Sequence, residues 1–309
     1  MTNNSGKSQL IAGIAIGVIG SVCFSTKAIF VKLAYRDSNV DTITLLALRM
    51  LISLPFFVGS AAYASTKENN QRFSGRQWAS VALVGCLGYY VSSFLDFQGL
   101  RYISAGIERL VLFIYPTIVL LISAFFLHKR ITRVQWWAVL VTYTGLLLAF
   151  YGEARYQALD SGFIMGSALI FGCAITYALY IAGSGQLIPS IGSTKFNSYA
   201  MTFAAVAVLI HYFIFSKSDL LDQSATVYVY STLMAIVSTV ITSYLVAESI
   251  RRIGSGNTAI VASVGPVSTI IQAYFFLQEP IHLTQLMGTA LIIGGVLLIG
   301  REKRSALSK

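Results

Sequence analysis

The fold is decided by the stretch Ile103–Leu148, which reads ISAGIERLVLFIYPTIVLLISAFFLHKRITRVQWWAVLVTYTGLLL. It consists of two long apolar runs on either side of a short basic hinge. The same design returns 150 residues later in Ile253–Leu298, which reads IGSGNTAIVASVGPVSTIIQAYFFLQEPIHLTQLMGTALIIGGVLL. When positions 93–148 are aligned with 243–298, 15 of the 56 pairs are identical and no gap is needed. The chain is therefore an internal duplication, and the repeat determines how the rest is interpreted.

The composition is that of a membrane protein. Of 309 residues, 56% are hydrophobic and 11% are charged, with a mean hydropathy of +0.71, whereas about 25% of a soluble domain is charged. A spanning helix needs about 20 apolar residues, and ten such windows occur. They are 10–35, 42–65, 77–100, 104–127, 133–151, 161–182, 195–215, 227–250, 256–277 and 283–300. Because a lipid-facing backbone must satisfy its own polar groups and the alternation of a barrel is missing, we predict an all-α integral membrane protein with ten transmembrane helices.

The ten windows divide equally between two domains, residues 1–152 and 153–309, with five helices each. Five is an odd number, so the second domain enters the membrane upside down relative to the first. Repeats of this inverted kind meet around a substrate site near the middle of the bilayer and rock against each other to give alternating access. The sequence therefore predicts two inverted five-helix repeats with a site between them.

The distribution of basic residues predicts the orientation. The net charge of +10 could suggest a nucleic-acid partner, but 14 Lys and Arg residues fall in segments on the side of the N-terminus and 5 in segments on the opposite side. This asymmetry predicts that both termini are cytoplasmic, and no nucleic acid is expected. The three cysteines lie inside apolar helices without metal-ligand spacing, and we interpret them as small apolar residues.

Charged residues inside membrane helices are expensive and indicate a functional site by default. Five such residues fall in the predicted outer half of the membrane: Lys27, Arg49, Asp96, Glu108 and Arg109. Three positive and two negative charges leave one cation without a protein partner, and a substrate carboxylate or phosphate could supply the missing charge. We expect Lys27 and Arg49 to hold this group and Asp96 or Glu108 to exchange a coupling proton. A neutral Lys27, or an arginine at the lipid headgroups, would equally explain the surplus.

Polar side chains at helical spacing suggest the walls of a cavity. Tyr89, Ser92, Ser93 and Asp96 recur at i, i+3, i+4 and i+7 of the third window and form one stripe, either as a cavity lining or as hydrogen bonds between helices. In the second half Tyr177 occupies the position of Lys27. The tyrosines expected to pack the body of a ligand are Tyr89, Tyr115, Tyr177 and Tyr180.

Two further expectations concern orientation and gating. Glu108 and Tyr115 are seven residues apart and should share a helix face, whereas Arg109 should point elsewhere. Near the end of the eighth window, Glu248 precedes Arg251 and Arg252. These residues form either a simple interfacial ion pair or a gate, Glu248 with Arg251, that breaks on opening.

These features together resemble the drug/metabolite transporter superfamily with its EamA-type repeats. The match is clearest in the second half, where Glu279 follows the apolar run and Gly288, Gly294 and Gly295 stand as the family pattern has them. The first half departs from the pattern with Lys129 at the place of the hinge glutamate. The resemblance implies a transporter with a central cavity, but it implies no particular cargo. The short hydrophilic tails and the charge usage favour a bacterial inner membrane.

The sequence thus predicts a secondary active transporter for a small organic metabolite such as an amino acid, an organic anion or a drug-like solute. Export is favoured over uptake, and proton coupling and exchange both stay open. A channel or lipid scramblase is the alternative from another class. An enzyme is not expected, because three scattered histidines and the lack of HExxH or GxSxG motifs offer no catalytic set. We expect no cofactor and no metal, with a small-molecule substrate and membrane lipid as partners of a monomer or homodimer.

Overall fold

The computed structural model describes residues 2–66, 73–126, 132–154, 161–216, 218–262 and 264–307, and these ranges contain helices and no β-strand. Each of the ten predicted windows corresponds to one straight or jointed helix. The helices are α1 (Thr2–Asp37), α2 (Thr42–Ser65), α3 (Gly75–Gly99), α4 (Ala105–Leu112 and Tyr115–Phe126), α5 (Arg133–Ala154), α6 (Ser161–Ile191), α7 (Ser193–Phe215), α8 (225–253), α9 (255–261 and Val264–Leu277) and α10 (Leu283–Leu307).

The described helices have the length and surface of a multi-pass membrane protein. Seven stretches are long and apolar enough to cross a bilayer, the last of which, Ala225–Val261, includes the beginning of α9. The shorter helices Val264–Leu277 and Leu283–Gly295 are also apolar. Large apolar side chains such as Leu83, Trp137 and Phe213 are exposed on the surface, as expected where the solvent is hydrocarbon rather than water.

Short polar residues start several helices. Asp41 accepts a hydrogen bond from the backbone N–H of Thr44 at 2.9 Å and begins α2. Ser74 and Gln77 form a reciprocal capping box at α3. Ser104 accepts from the N–H of Ile107 at 3.2 Å and begins α4. Each cap satisfies N–H groups that the first turn of a helix leaves without partners.

The packing of the helices follows the inverted repeat. α2 packs against α7 and α5 against α10, and each of these pairs joins a helix to its own counterpart in the other half. α1 packs on α8 and α9, and the equivalent pairs, α6 on α3 and α6 on α4, are also in contact. Since each helix lies five positions before its counterpart in the helix order, the two halves run in opposite directions. The predicted inverted five-helix repeats are therefore confirmed.

Irregular turns add a feature that the sequence alone did not predict. α3 contains a π-helical segment at Cys86–Val91, and α8 contains one at Met234–Ile241. The shift of 150 residues places 86–91 on 236–241, so the irregularity belongs to the repeat. Such π-helical turns are frequent at functional sites, because they reorient side chains within one helix.

Two helices are jointed next to a proline. α4 is interrupted at 113–114, before Pro116, and α9 is interrupted before Pro266. A proline has no N–H for the carbonyl four residues earlier, which for Pro266 is the carbonyl of Ala262. Ser21 of α1 donates its hydroxyl to that carbonyl at 3.0 Å. A separate joint, Gly254 with φ +80°, divides α8 from α9.

The bundle has two ends, which are named here after residues that mark them. The Asp41 end carries the α1–α2, α3–α4 and α9–α10 connections, and the Gly254 end carries the α6–α7 and α8–α9 connections.

Candidate functional site

Three buried charges from three helices meet inside the bundle. The Nζ atom of Lys27 on α1 lies 2.8 Å from Oδ2 of Asp96 on α3 and 3.9 Å from Oε1 of Glu108 on α4. Lys27 is 4% exposed, and both carboxylates are fully buried. One ammonium thus faces two acids, so its attraction to them offsets only part of the cost of removing water from three charged groups. We refer to Lys27, Asp96 and Glu108 as the ion cluster.

The second buried cation, Arg49, connects the two halves of the chain. Its Nε donates to the hydroxyl of Thr239 at 2.7 Å, within the π-helical segment of α8, and its Nη2 lies 3.4 Å from the hydroxyl of Ser93. Its guanidinium is 5.2 Å from the centre of the Phe97 ring. Within the part of the chain that the structure describes, Arg49 is therefore held by hydroxyls and a ring face instead of by a carboxylate.

The third cation, Arg109, lines a small cavity at the interface between the halves. Its Nη2 donates to the hydroxyl of Ser25 at 2.9 Å, and its guanidinium lies 4.9 Å from the ring centre of Phe24. Within the described chain its Nε has no hydrogen-bond partner. The cavity has a volume of about 20 Å³, and Tyr115 and Tyr177 are also in its wall.

This position of Arg109 differs from the expectation. A continuous helix would place Glu108 and Tyr115 on one face and Arg109 on another. The break at 113–114 ends the regular rotation, so Tyr115 lines the same cavity as Arg109. Glu108 instead points to Lys27 within the ion cluster.

An aromatic row connects the predicted tyrosines. Tyr177 stacks on Phe24 with ring centres 5.6 Å apart and meets Tyr115 edge to face at 5.0 Å. Tyr180 stacks on Tyr177 at 5.8 Å and meets Tyr89 at 5.1 Å. Aromatic pairs in these arrangements attract each other beyond their buried area. The row therefore forms one wall from α1, α3, α4 and α6 beside the buried cations.

Cys173 is a member of the site, although the sequence interpretation treated it as a small apolar residue. Its Sγ is 3.2 Å from the hydroxyl of Ser92 and 3.9 Å from Oδ1 of Asp96. It lies four residues before Tyr177, on the same helix face, and this spacing was the available signal. Ser21 and Ser25 were also missed, although their i, i+4 spacing on α1 marks a polar face.

At the Asp41 end, the two halves are held together by close backbone contacts. Gly166 of α6 packs so tightly on Tyr102 and Ile103 that an added Cβ would lie 2.8 Å and 2.9 Å from their side chains. The carboxylate of Glu279 accepts hydrogen bonds from the N–H groups of Ala105 at 3.1 Å and Gly106 at 3.3 Å. The hinge glutamate of the second half therefore caps α4 of the first half. Lys129, its counterpart by the repeat, lies outside the described residues.

At the Gly254 end, α1 packs closely against α8. The hydroxyl of Ser249 donates to the carbonyl of Gly13 at 3.1 Å, and an added Cβ on Gly17 would meet that hydroxyl at 2.8 Å. Glu248 accepts from Nε of Arg251 and from Nε of Arg252, each at 2.7 Å. The hydroxyl of Ser193, the first residue of α7, donates to Glu248 at 2.9 Å. The predicted pair thus belongs to a larger network, which joins α8 to the α6–α7 turn.

Comparisons with known proteins agree with this architecture. The family model described as the EamA-like transporter family matches residues 11–151 and 164–301. The uncharacterized transporter YcbK of Bacillus subtilis is 31% identical over 305 residues, which cover 96% of this chain and 94% of that protein. An uncharacterized transporter of Archaeoglobus fulgidus is 21% identical and covers 82% of this chain and 88% of its own. One solved crystal structure superposes with a TM-score of 0.70 at 17% identity, over 95% of this chain and 98% of that one, and so has the same fold.

Proposed function

Because the chain belongs to the EamA-like transporter family, we propose that it is a secondary active transporter that exports a small organic metabolite by alternating access between its two halves. In this proposal it resides in a bacterial inner membrane with both termini in the cytoplasm. The Asp41 end then faces outward and the Gly254 end faces the cytoplasm.

The observation that carries the proposal is the ion cluster, buried between the halves and covered toward both ends. A charge is expensive inside a membrane protein and is normally retained for function. Lys27 contacts Asp96 and Glu108 at 4% exposure or less. Inverted repeats rotate about a site that lies between them and expose it to one side at a time. The enclosed cluster supports a state between these two openings.

The roles of individual residues follow from their contacts. Lys27 is already compensated by Asp96, so these two residues maintain the site. Glu108 lies further from the ammonium, at 3.9 Å, and is the better candidate to bind and release a coupling proton. We propose that a substrate contacts the side chains that surround the cavity and the cluster. These are Lys27, Arg49, Tyr89, Ser93, Asp96, Glu108, Tyr115, Tyr177 and Tyr180.

Two glutamates act as gates in this mechanism. Glu279 releases the N–H groups of Ala105 and Gly106 when the Asp41 end opens, and Glu248 releases Arg251 and Ser193 when the Gly254 end opens. Both contacts are charge-assisted and involve groups that water can satisfy after release. Each can therefore break at moderate cost, as a gate requires.

Counterflow in proteoliposomes tests the transporter proposal. The purified chain is reconstituted into vesicles loaded with one of a panel of amino acids, organic acids, sugar phosphates or cationic drugs, and uptake of trace radiolabelled solute is followed. Saturable uptake accelerated by the same solute inside the vesicle is expected for at least one compound. Flux that shows neither saturation nor acceleration would indicate a channel, and transbilayer movement of labelled lipid would indicate a scramblase.

Alternating access has a native reporter in Cys173, which is 1% exposed and contacts Asp96. Replacement of Cys23 by Ser and Cys86 by Ala leaves Cys173 as the single thiol. A membrane-impermeant maleimide should label it slowly in the resting protein and faster during counterflow. The same background with Cys173→Ser measures nonspecific labelling. An unchanged rate during active counterflow would contradict the proposed movement.

A further inference from the structure

The three buried cations differ in how far the protein itself compensates their charge. Lys27 has Asp96 at 2.8 Å. Arg49 uses its Nε and Nη2 on the hydroxyls of Thr239 and Ser93, and its Nη1 has no hydrogen-bond partner within the described chain. Arg109 is 5% exposed, and in the described chain it has no carboxylate within 4 Å and no partner for its Nε. It also lines the interfacial cavity together with Tyr115 and Tyr177. Arg109 therefore has both an N–H group without a hydrogen-bond partner and a position in the wall of a cavity.

We infer that the transported solute is a small organic monocarboxylate and that Arg109 binds its carboxylate in the interfacial cavity. This inference rests on the proposed transport function and specifies its substrate class. Among the described residues the buried charges are three positive and two negative, so the interior has a surplus of one positive charge while both acids are ionised. One carboxylate neutralises that surplus, whereas a dianion reverses it and a neutral solute leaves it in place.

The geometry of Arg109 favours a carboxylate. The edge of a guanidinium that carries Nε and one Nη matches two carboxylate oxygens, which can accept parallel hydrogen bonds. On this edge Nε is free, and Nη2 holds only the hydroxyl of Ser25 at 2.9 Å. A bound carboxylate would complete the hydrogen bonding of a buried charge.

The surrounding walls select the body of the solute. The rings of Phe24, Tyr115 and Tyr177 lie on one side, and the small side chains Thr258, Ala259 and Ala262 lie on the α9 side. The cavity volume of about 20 Å³ is that of a single water. A substrate therefore enters when the halves separate, and a planar or apolar body then lies between the aromatic row and α9.

Gly265 supplies a second, independent means of testing the site. A Cβ at this position would lie 2.7 Å from Nη2 and 3.1 Å from Nε of Arg109. Gly265→Ala should displace the guanidinium while the charge is retained. Gly59 on α2 has no atom within 4 Å of a built Cβ, so Gly59→Ala is the matched control.

The experiment measures binding to the purified full-length chain by thermal stabilisation, with benzoate, phenylacetate and propionate as probes beside their amides and benzylamine. A ligand that binds the folded state raises the melting temperature. Wild type should be stabilised by acids and not by the matched amides. Arg109→Gln should weaken acid binding about tenfold to a hundredfold, the range expected for a charge-assisted hydrogen bond. Arg109→Lys and Gly265→Ala should weaken it to a smaller extent, while Gly59→Ala and the surface variant Arg36→Gln should not change it.

The outcomes separate this inference from the transport proposal. Equal stabilisation by acids and amides, no stabilisation by any acid, or an unchanged acid preference in Arg109→Gln would each overturn the carboxylate assignment. Should Arg109→Gln not fold, an unchanged acid affinity in Gly265→Ala overturns it instead. Counterflow of benzylamine without benzoate would reject the carboxylate and keep the transporter. Arg109-dependent binding of benzoate without counterflow of any solute would keep the carboxylate site and reject the transporter proposal.

Discussion

Lys27 lies next to two buried acids, and its removal would leave both of them without their ammonium partner. Asp96 and Glu108 are fully buried, with oxygens 2.8 Å and 3.9 Å from its Nζ. Lys27→Met keeps most of the side-chain volume and removes the charge. The free energy of unfolding should fall by about 3–5 kcal/mol, the cost of breaking a buried ion pair from one side. Chemical denaturation in detergent micelles measures this loss.

A double variant provides the control. Lys27→Met combined with Asp96→Asn removes one charge of each sign, so its stability should lie above that of Lys27→Met alone. If the double variant is as unstable as the sum of the two single variants, the ion pair contributes no coupling and this account of the cluster is wrong.

Residue identity was predictable at this scale, whereas residue pairing was not. Lys27, Asp96 and Glu108 stood out because charges are rare in apolar windows. These residues are up to 81 positions apart in the sequence, and their contact depends on how three helices pack. No spacing rule within one helix predicts that packing. Tyr115 was assigned to the face of Glu108, but it lines the cavity of Arg109, because the break at 113–114 is invisible to a regular helical pattern.

At the scale of helices, length and hydropathy located all ten elements, because each must span the hydrocarbon by itself. Their joints were harder to predict. Pro116 and Pro266 were visible in the sequence, but the π-helical segments at Cys86–Val91 and Met234–Ile241 contain no proline and follow from packing. The joints nevertheless lie beside the site. They allow one helix to point its side chains in directions that a straight helix does not allow.

The joint at Gly254 has a backbone that only glycine adopts readily, with φ +80° and ψ 160°. Gly254→Ala should lower the free energy of unfolding by about 1–3 kcal/mol, because a Cβ is strained in this region. Thermal unfolding in detergent measures the effect. Gly294→Ala, where a built Cβ has nothing within 4 Å, should not lower the free energy of unfolding and should raise it by up to about 1 kcal/mol, because alanine favours a helix interior. Equal stability of the two variants would show that the joint relaxes without strain.

The cap that Glu279 provides to α4 links two elements from different halves. Its two oxygens accept from Ala105 and Gly106, and Glu279→Gln removes the charge and one acceptor. We expect a loss of about 0.5–2 kcal/mol in the stability of the closed Asp41 end. Labelling of single Cys173 by an impermeant maleimide should then accelerate from the side of the Asp41 end.

Glu248→Gln is the matched variant at the other end. It weakens the contacts to Arg251 and Ser193 and should accelerate labelling from the side of the Gly254 end. Oriented membrane vesicles of both polarities distinguish the two sides. If both variants accelerate labelling from the same side, Glu279 and Glu248 do not act as opposing gates.

For the whole molecule, the architecture followed from the duplication, since an odd number of helices per half forces inversion. The substrate does not follow in the same way, because the two halves have diverged where they face each other. The 150-residue shift aligns Lys27 with Tyr177, Asp96 with Val246 and Arg109 with Ala259. All buried acids and bases of the cluster thus come from one half, and the repeat predicts the place of the site but not its chemistry.

This asymmetry leads to a prediction about energy coupling. The charged groups that interact electrostatically with Glu108 are Lys27 of α1, Asp96 of α3 and Arg109 of α4, with the thiol of Cys173 on α6 beside Asp96. A proton on Glu108 adds positive charge close to Arg109, so proton binding and carboxylate binding should favour each other. Glu108→Gln cannot exchange the proton. In proteoliposomes it should lose accumulation driven by a pH gradient and retain counterflow of the same solute at equal pH.

Wild-type protein in the same vesicles is the reference for both gradient-driven accumulation and counterflow. A protonophore should abolish its gradient-driven accumulation and leave counterflow intact, which reproduces the Glu108→Gln behaviour without a mutation. If Glu108→Gln still accumulates solute against its gradient when only a pH difference is imposed, the coupling proton is carried elsewhere and the ion cluster serves binding alone. If Glu108→Gln loses counterflow as well, while remaining folded by thermal unfolding, Glu108 is needed for the conformational cycle itself and the assignment of proton exchange to this residue fails.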